Sequence, residues 1–345
     1  MGKRVFLAAG GTGGHLFPAI AISQIDKKID YFFLIDKRTE KIAKKKELKY
    51  FKIFSSSIKL NLSLPSSFLK IFIGIIQSLF ILNKYKADLV VGFGGYSSIP
   101  SILAAKILKI KIIIHEQNAI MGRTNRLLSY LTNNIALTFK HTVFAKKSAI
   151  HTGIPIRKKK KYKTEKSDTK KLLIVGGSQG AKVFGELVPH IISNFTIKTK
   201  SKILVIHQVR IEDREKVSEK YKKMKIKFIL KEFFDDIYQE FDKADIIISR
   251  CGASTLAEIN LFRKFSLLFP LPSAMNNHQY HNALEFAKTN ECIIVNEKEI
   301  NIDKISKKIE KRMFFKKKSY KLKLNRNKSK SSLTTLIKKL LIKDV

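Results

Sequence analysis

The stretch Arg4-Val5-Phe6-Leu7-Ala8-Ala9-Gly10-Gly11-Thr12-Gly13-Gly14-His15 decides the fold class. Residues 4–9 form a short apolar run without polar alternation, the mark of a strand covered on both faces. The run ends in glycines, and Ile20, Ile22 and Ile25 then fall on a helix-like pattern. Working outward, residues 30–35, 87–92 and 111–114 repeat the strand signal, the second again ending in glycines. Buried strands that alternate with helices predict a parallel, doubly wound α/β sheet with right-handed crossovers.

A break at Gly153-Ile154-Pro155 is followed by the run Arg157-Lys158-Lys159-Lys160-Lys161 and a polar stretch to Lys171, which reads as a linker. The pattern then restarts: residues 172–175 lead into Gly176-Gly177-Ser178-Gln179-Gly180, and residues 202–206, 227–230, 245–249 and 265–269 are further strand candidates. Ile302, Ile305 and Ile309 sit at helical spacing, and Leu333, Leu336, Ile337, Leu340 and Leu341 predict a last amphipathic helix. The expected organisation is one domain over 1–155, a second over 156–324, and a terminal helix at about 325–345 that packs back on the first. A chain of 345 residues suits two domains of roughly 150 residues.

The two cysteines, Cys251 and Cys292, define no disulfide framework and suit a reducing cytoplasm. Met1-Gly2-Lys3-Arg4 runs straight into the first strand, unlike a cleavable signal peptide, and no apolar run reaches spanning length. The net charge of +40 raises nucleic acid and anionic lipid as partners. The charge is spread along the chain and no helix-turn-helix, zinc-finger or RNP signature accompanies it, so it reads first as compositional bias, with nucleic acid set aside.

Glycine loops between a strand and a helix are phosphate sites in waiting, because the backbone approaches closely and the helix start offers free N–H groups. Four occur, at 10–14, 92–95, 176–180 and at Gly252 before Ser254-Thr255. One alone means little; four at strand ends, where open α/β sheets bind ligands, mean more. No loop reads Gly-x-Gly-x-x-Gly or Gly-x-x-x-x-Gly-Lys-Ser/Thr, which disfavours a dinucleotide enzyme and a P-loop NTPase.

The stretch Gly10–Ala19 resembles the N-terminal signature of the MurG family, glycosyltransferases of family 28 that pass N-acetylglucosamine (GlcNAc) from UDP-GlcNAc to lipid I, forming lipid II. The resemblance continues in order through Gly92-Phe93-Gly94-Gly95-Tyr96-Ser97, His115-Glu116-Gln117-Asn118-Ala119, Gly153–Arg157, Gly176–Ala181, Glu232–Asp236, Arg250–Glu258 and His278–Ala283. It implies the GT-B architecture, two Rossmann-like doubly wound domains facing a cleft. The N-terminal domain would meet acceptor and membrane, and the C-terminal domain would hold UDP-GlcNAc. It also implies inverting transfer, no cofactor and no built-in metal, a peripheral place on the cytoplasmic face of the bacterial inner membrane, and contact with other cell-wall synthesis proteins. The chain departs from the family at Ile154, at Leu261-Phe262-Arg263-Lys264-Phe265, where a glycine and a proline are usual, and at His207-Gln208-Val209-Arg210.

By the same resemblance, the donor site comprises Thr12, Gly13, Gly14, Asn118, Arg157, Ser178, Phe234, the block Ala253-Ser254-Thr255-Leu256-Ala257-Glu258, and Gln279. Ser178 would serve the diphosphate and also reads as an N-cap. Arg157 would serve the nucleotide end and also reads as one more member of a basic run. Phe234 would offer backbone to the uracil and also reads as a core aromatic. Glu258 would accept from ribose hydroxyls and also reads as a helix-surface acid. Gln279 and Asn118 would hydrogen-bond the sugar. His15 is the candidate base for the muramyl 4-hydroxyl, against a role that only hydrogen-bonds substrate, and Glu116 is its rival. Tyr96 falls to the acceptor.

Residues 68–82 hold eleven apolar side chains in fifteen, with Lys59, Lys70, Lys84 and Lys86 around them. At about 1.5 Å per residue the run is too short for a hydrocarbon core of roughly 30 Å. It is more apolar than one sheet face requires, so part of it, with Phe68, Phe72 and Ile75, is expected to dip into an anionic leaflet. The alternatives are a transferase acting on another membrane glycolipid, a UDP-GlcNAc epimerase of similar architecture, and a basic nucleic-acid-binding protein.

Overall fold

Apolar β1 (Arg4–Ala8) turns through Gly11, at φ +85°, into α1 (Gly13–Ile25), because only glycine takes that turn without strain. The computed structural model of the chain describes residues 2–57, 64–156, 162, 168–177, 181–314 and 332–342. Its contacts divide it into two units, Met1–Arg157 with Asn327–Val345, and Lys158–Arg326.

In the first unit β1 and α1 are followed by β2 (Asp30–Ile35), α2 (Lys37–Lys45), β3 (Tyr50–Lys52), α3 (Leu64–Lys84), β4 (Leu89–Gly92), α4 (Ile99–Ile107), β5 (Lys111–Glu116), α5 (Arg123–Leu128), β6 (Ile135–Leu137) and β7 (Ile150–His151). All pairings are parallel, in the order β3-β2-β1-β4-β5-β6-β7. Chain direction across the sheet reverses between β1 and β4, the switch point at which such sheets take ligands, and the glycine loops at 10–14 and 92–95 both begin there.

Successive residues of one strand enter opposite cores. Val5 and Leu7 pack with Leu333, Leu336, Ile337 and Leu341, which belong to the last helix of the chain. Phe6 and Ala8 pack with Ile71, Leu82, Ile102 and Ala105 on the other face. That last helix, Leu333–Ile342, therefore belongs to the first sheet, where Lys338 pairs with Asp26 at 2.7 Å and lowers its carboxyl below the usual range.

Helix α3 corrects two expectations. It runs for 21 residues, and Pro65–Lys84 is long and apolar enough to cross a membrane by length and composition. It is nonetheless laid along α4: Ser67, Ile71, Gly74, Ser78 and Leu82 form a buried stripe. A Cβ on Gly74 would stand 2.0 Å from the Phe54 carbonyl oxygen, so glycine permits the close approach. The opposite face is bare: Phe68, Phe72 and Phe80 are 54%, 60% and 67% exposed, and Leu69, Ile73 and Ile76 lie open beside them. Ile75 instead packs towards the core, one position off the face it was expected to join. Lys59 lies outside the described residues.

The second unit contains β8 (Lys170–Val175), α6 (Lys182–Ser193), α7 (Ile197–Lys202), β9 (Ile203–Gln208), α8 (Arg214–Lys223), β10 (Lys227–Lys231), α9 (Ile237–Lys243), β11 (Ile246–Arg250), α10 (Ala253–Phe262), β12 (Phe265–Phe269), α11 (His278–Ala287), β13 (Cys292–Ile294) and α12 (Ile302–Phe314). Its sheet is again wholly parallel, in the order β10-β9-β8-β11-β12-β13. Leu172 and Ile174 face one core, Leu173 and Val175 the other. Helix α10 ends on Arg263 in the left-handed region, φ +52°. A side chain there costs roughly 1–2 kcal/mol, the local consequence of having no glycine before β12.

Candidate active site

In the first unit the turn after β1 ends on Thr12, which stands at the N-cap of α1 without a side-chain cap bond. Its carbonyl accepts from the N–H groups of His15 and Leu16 at 3.2 Å each, while Gly13 and Gly14 open the helix, where N–H groups have no intrahelical acceptor. Asp36, the N-cap of α2 just after β2, accepts from Gly11 N–H at 3.1 Å and takes the Nε–H and Nη2–H of Arg38 at 3.0 Å each. Arg38 in turn lies 4.6 Å over the ring of Tyr96. A nucleotide-binding Rossmann fold reserves this acid for ribose; here its oxygens already hold the loop together. Tyr96 is half-buried, and loss of water pushes its phenol pKa up.

His15, in the first turn of α1, is half-buried, and its Nδ1 meets the Gln117 carbonyl oxygen at 3.0 Å. Gly95, at φ +70°, faces the other side of the ring; a Cβ there would come within 3.1 Å of His15 Nε2. Glu116 is only 2% exposed. One carboxylate oxygen accepts from the Asn118 backbone at 2.9 Å and side chain at 3.2 Å. The other accepts from Gly122 N–H at 3.1 Å and Asn125 Nδ2 at 2.8 Å. Such a carboxylate organises a loop: each oxygen already accepts two hydrogen bonds, which favours His15 over Glu116 as the candidate base. Asn118 belongs to the same knot.

His115, fully buried against Phe93, has its pKa pushed down to about 4 by loss of water. Its folded pKa lies below that of the unfolded chain, so the stability it contributes is complete above about pH 6.5 and is lost as the pH falls towards 4. The expected result is a denaturation midpoint of the first unit that drops across this window, and drops less in His115→Gln. A parent midpoint that is flat from pH 7 to 4.5 would contradict the assignment.

In the second unit Gly176 N–H donates to Gln208 Oε1 at 3.1 Å, and Gln208 Nε2 donates to the Glu232 carbonyl at 3.2 Å, tying the loop after β8 to the one after β10. The side chain of Phe234 is buried in the core, which leaves only its backbone for a ligand. Along α10, Leu256 packs inward and Ala253 is buried, so these two also have only backbone to offer; Ser254, Ala257 and Glu258 share a half-buried face, with Thr255 beside them. Gln279, in the first turn of α11, accepts from both Cys251 N–H at 3.0 Å and Leu271 N–H at 3.1 Å. Asn282, one turn on, donates to the Cys251 carbonyl at 3.1 Å. The Gln279 carbonyl thus brackets the loops after β11 and β12, and its NH2 is the group available to a sugar. Arg157 and Ser178 lie outside the described residues.

Reading the sequence had missed Gln117, Gln208, Asn125, Asn282 and the Asp36–Arg38 pair. The two glutamines and Asn282 stand in quoted motifs and carry a signal; Asn125 and the Asp36–Arg38 pair make their contacts only through the fold.

Two parallel-sheet Rossmann-like units, each with glycine turns at its strand ends, define a glycosyltransferase of GT-B architecture. Residues 5–137 match the glycosyltransferase family 28 N-terminal domain and residues 171–340 the family 28 C-terminal domain, and the chain belongs to that family. A relative from Rickettsia bellii is 35% identical over 323 residues, covering 89% of this chain and 90% of its own. One from a Wolbachia of Drosophila simulans is 38% identical over 301 residues, covering 84% of each. Both are named UDP-N-acetylglucosamine–N-acetylmuramyl-(pentapeptide) pyrophosphoryl-undecaprenol N-acetylglucosamine transferase. The crystal structure of Acinetobacter baumannii MurG superposes with a TM-score of 0.74 at 26% identity, covering 98% of both chains.

Proposed function

We propose that this chain transfers GlcNAc from UDP-GlcNAc to the 4-hydroxyl of the N-acetylmuramyl sugar of undecaprenyl-pyrophosphoryl-linked lipid I, forming lipid II. The substrates rest on the relatives' shared name, since 35–38% identity extends over most of the chain. The chemistry rests on one observation: His15 stands in the first turn of the helix after the first glycine loop with Nδ1 engaged by Gln117, leaving Nε2 to take a proton. The acceptor oxygen attacks the anomeric carbon from the face opposite the diphosphate. The bond from that carbon to the phosphate oxygen breaks with inversion, the hydroxyl proton passes to His15, and UDP departs. Helix-start N–H groups offset the charge that develops on the diphosphate. Sugar transfer from labelled UDP-GlcNAc to a lipid I analogue tests the reading. Transfer to another glycolipid with none to the lipid I analogue would overturn it.

The donor belongs to the second unit in this proposal, with Glu258 accepting from the ribose diol. Glu258→Ala is expected to weaken UDP-GlcNAc about 10- to 100-fold, as for a hydrogen bond to a charged group, and a 2′-deoxyribose analogue far less. Equal weakening of both, by calorimetry, would remove Glu258 from the ribose.

The bare face of α3 is the membrane-docking surface in this proposal, placing the enzyme peripherally on the cytoplasmic leaflet, where lipid I's chain is anchored. Apolar exposure bordered by Lys70 and Lys84 suits anionic lipid. Phe72→Glu and Ile76→Glu should each weaken binding to anionic vesicles about 10-fold or more, since burying such a side chain contributes about 1.5–3 kcal/mol, while UDP-GlcNAc affinity holds. Ile75→Glu should instead lower fold stability. Unchanged vesicle binding by folded Phe72→Glu would refute the surface.

A further inference from the structure

The groups around His15 form one hydrogen-bonded line whose donors and acceptors can be worked out from a single fixed point. Gln117 is 3% exposed and its Nε2 lies 2.9 Å from the His115 backbone carbonyl. A carbonyl only accepts, so the amide NH2 must face it, and the orientation of the Gln117 side chain follows. The same NH2 lies 2.9 Å from His115 Nδ1, which must therefore carry a lone pair. The proton of neutral His115 is then on Nε2, which donates to the Gly153 carbonyl at 3.1 Å. At the other end the Gln117 carbonyl oxygen, an acceptor only, faces His15 Nδ1 at 3.0 Å, so that nitrogen must carry a proton.

We propose that Gln117 is a positioning residue that holds His15 in its Nδ1–H tautomer, with the lone pair on Nε2, and that buried His115, anchored on Gly153, holds Gln117 in turn. The inference rests on the reading of His15 as base and names what makes it competent. A neutral imidazole left to itself favours the Nε2–H form, which has no lone pair at Nε2. The line ties the start of α1, the end of β5 and the turn after β7 together, so the ring is oriented by the framework of the sheet. It also remains satisfied after proton transfer, because the imidazolium still donates Nδ1–H to the same oxygen. Gly95 completes the arrangement by placing no side chain against the Nε2 edge.

The test is nitrogen-15 NMR of histidine-labelled full chain, with signals assigned by single histidine replacements. In the parent protein at neutral pH, His15 should show the Nδ1–H tautomer and His115 the opposite, Nε2–H. In Gln117→Leu the His15 signal should move to a mixture dominated by Nε2–H. Over the same change kcat should fall about 10- to 100-fold with KM for UDP-GlcNAc unchanged, the pattern of a misheld base. An Nε2–H His15 in the parent, or an unaltered tautomer in Gln117→Leu, overturns the proposal. Should that variant fail to fold, the parent spectrum alone decides. Tautomers as expected with an unchanged kcat would support the line and overturn the base role of His15.

Discussion

His15→Ala is expected to lower kcat about 10²–10⁴-fold, the usual worth of a positioned general base, while the affinity for UDP-GlcNAc stays close to that of the parent. The side chain stands in the first turn of α1 in the first unit, whereas Glu258 and Gln279, among the proposed donor contacts, stand on α10 and α11 of the second. Removing the imidazole takes away the acceptor for the attacking hydroxyl's proton, so the loss belongs in turnover. Steady-state kinetics with a lipid I analogue, beside calorimetric titration of UDP-GlcNAc, separates the two. A collapse of donor affinity with turnover kept at saturation would make His15 a binding residue, as the bare sequence allowed.

The largest stability change is expected at Glu116. Glu116→Ala strands the N–H groups of Asn118 and Gly122 and the Asn125 amide, all of which donate to its carboxylate. At about 1–3 kcal/mol for each buried group left unpaired, the first unit should lose roughly 3–5 kcal/mol, read as a shift of its denaturant midpoint. Glu116→Gln keeps one acceptor and should lose less. An alanine variant as stable as the parent but deficient in turnover would restore Glu116 as a base.

Much of the architecture was legible because its causes are local. Residues 4–9, 30–35 and 172–175 are continuous apolar runs, and strands buried on both faces have that signature wherever they sit in a sheet. β3, β6, β7 and β13 escaped notice, since two or three residues establish no period and depend on their neighbours for existence. The apolar excess of α3 was legible as well; which side was left bare was not. Ile75 and Ile76 are equivalent in sequence, and the rotation of the helix against α4 alone separates a core contact from an open one.

The site divides in the same way. Motif order singled out His15, Glu258 and Gln279, which stand on α1, α10 and α11, and the glycine turns follow from local backbone demands. The partners of Glu116 were invisible, because Asn125 lies outside every quoted motif and reaches the carboxylate through the fold of its own loop. Gln279 read as a sugar contact, yet its carbonyl is occupied by two backbone N–H groups from different strand ends. The sequence by itself determined two Rossmann-like halves, their glycine loops and the family, since these are written in short-range pattern and in motif order. Tertiary structure alone decided which face of α3 is bare and which nitrogen of His15 meets Gln117. Each of these depends on strand order and register, which bring groups such as His15 and Gln117, 102 positions apart, to hydrogen-bonding distance without leaving any local trace.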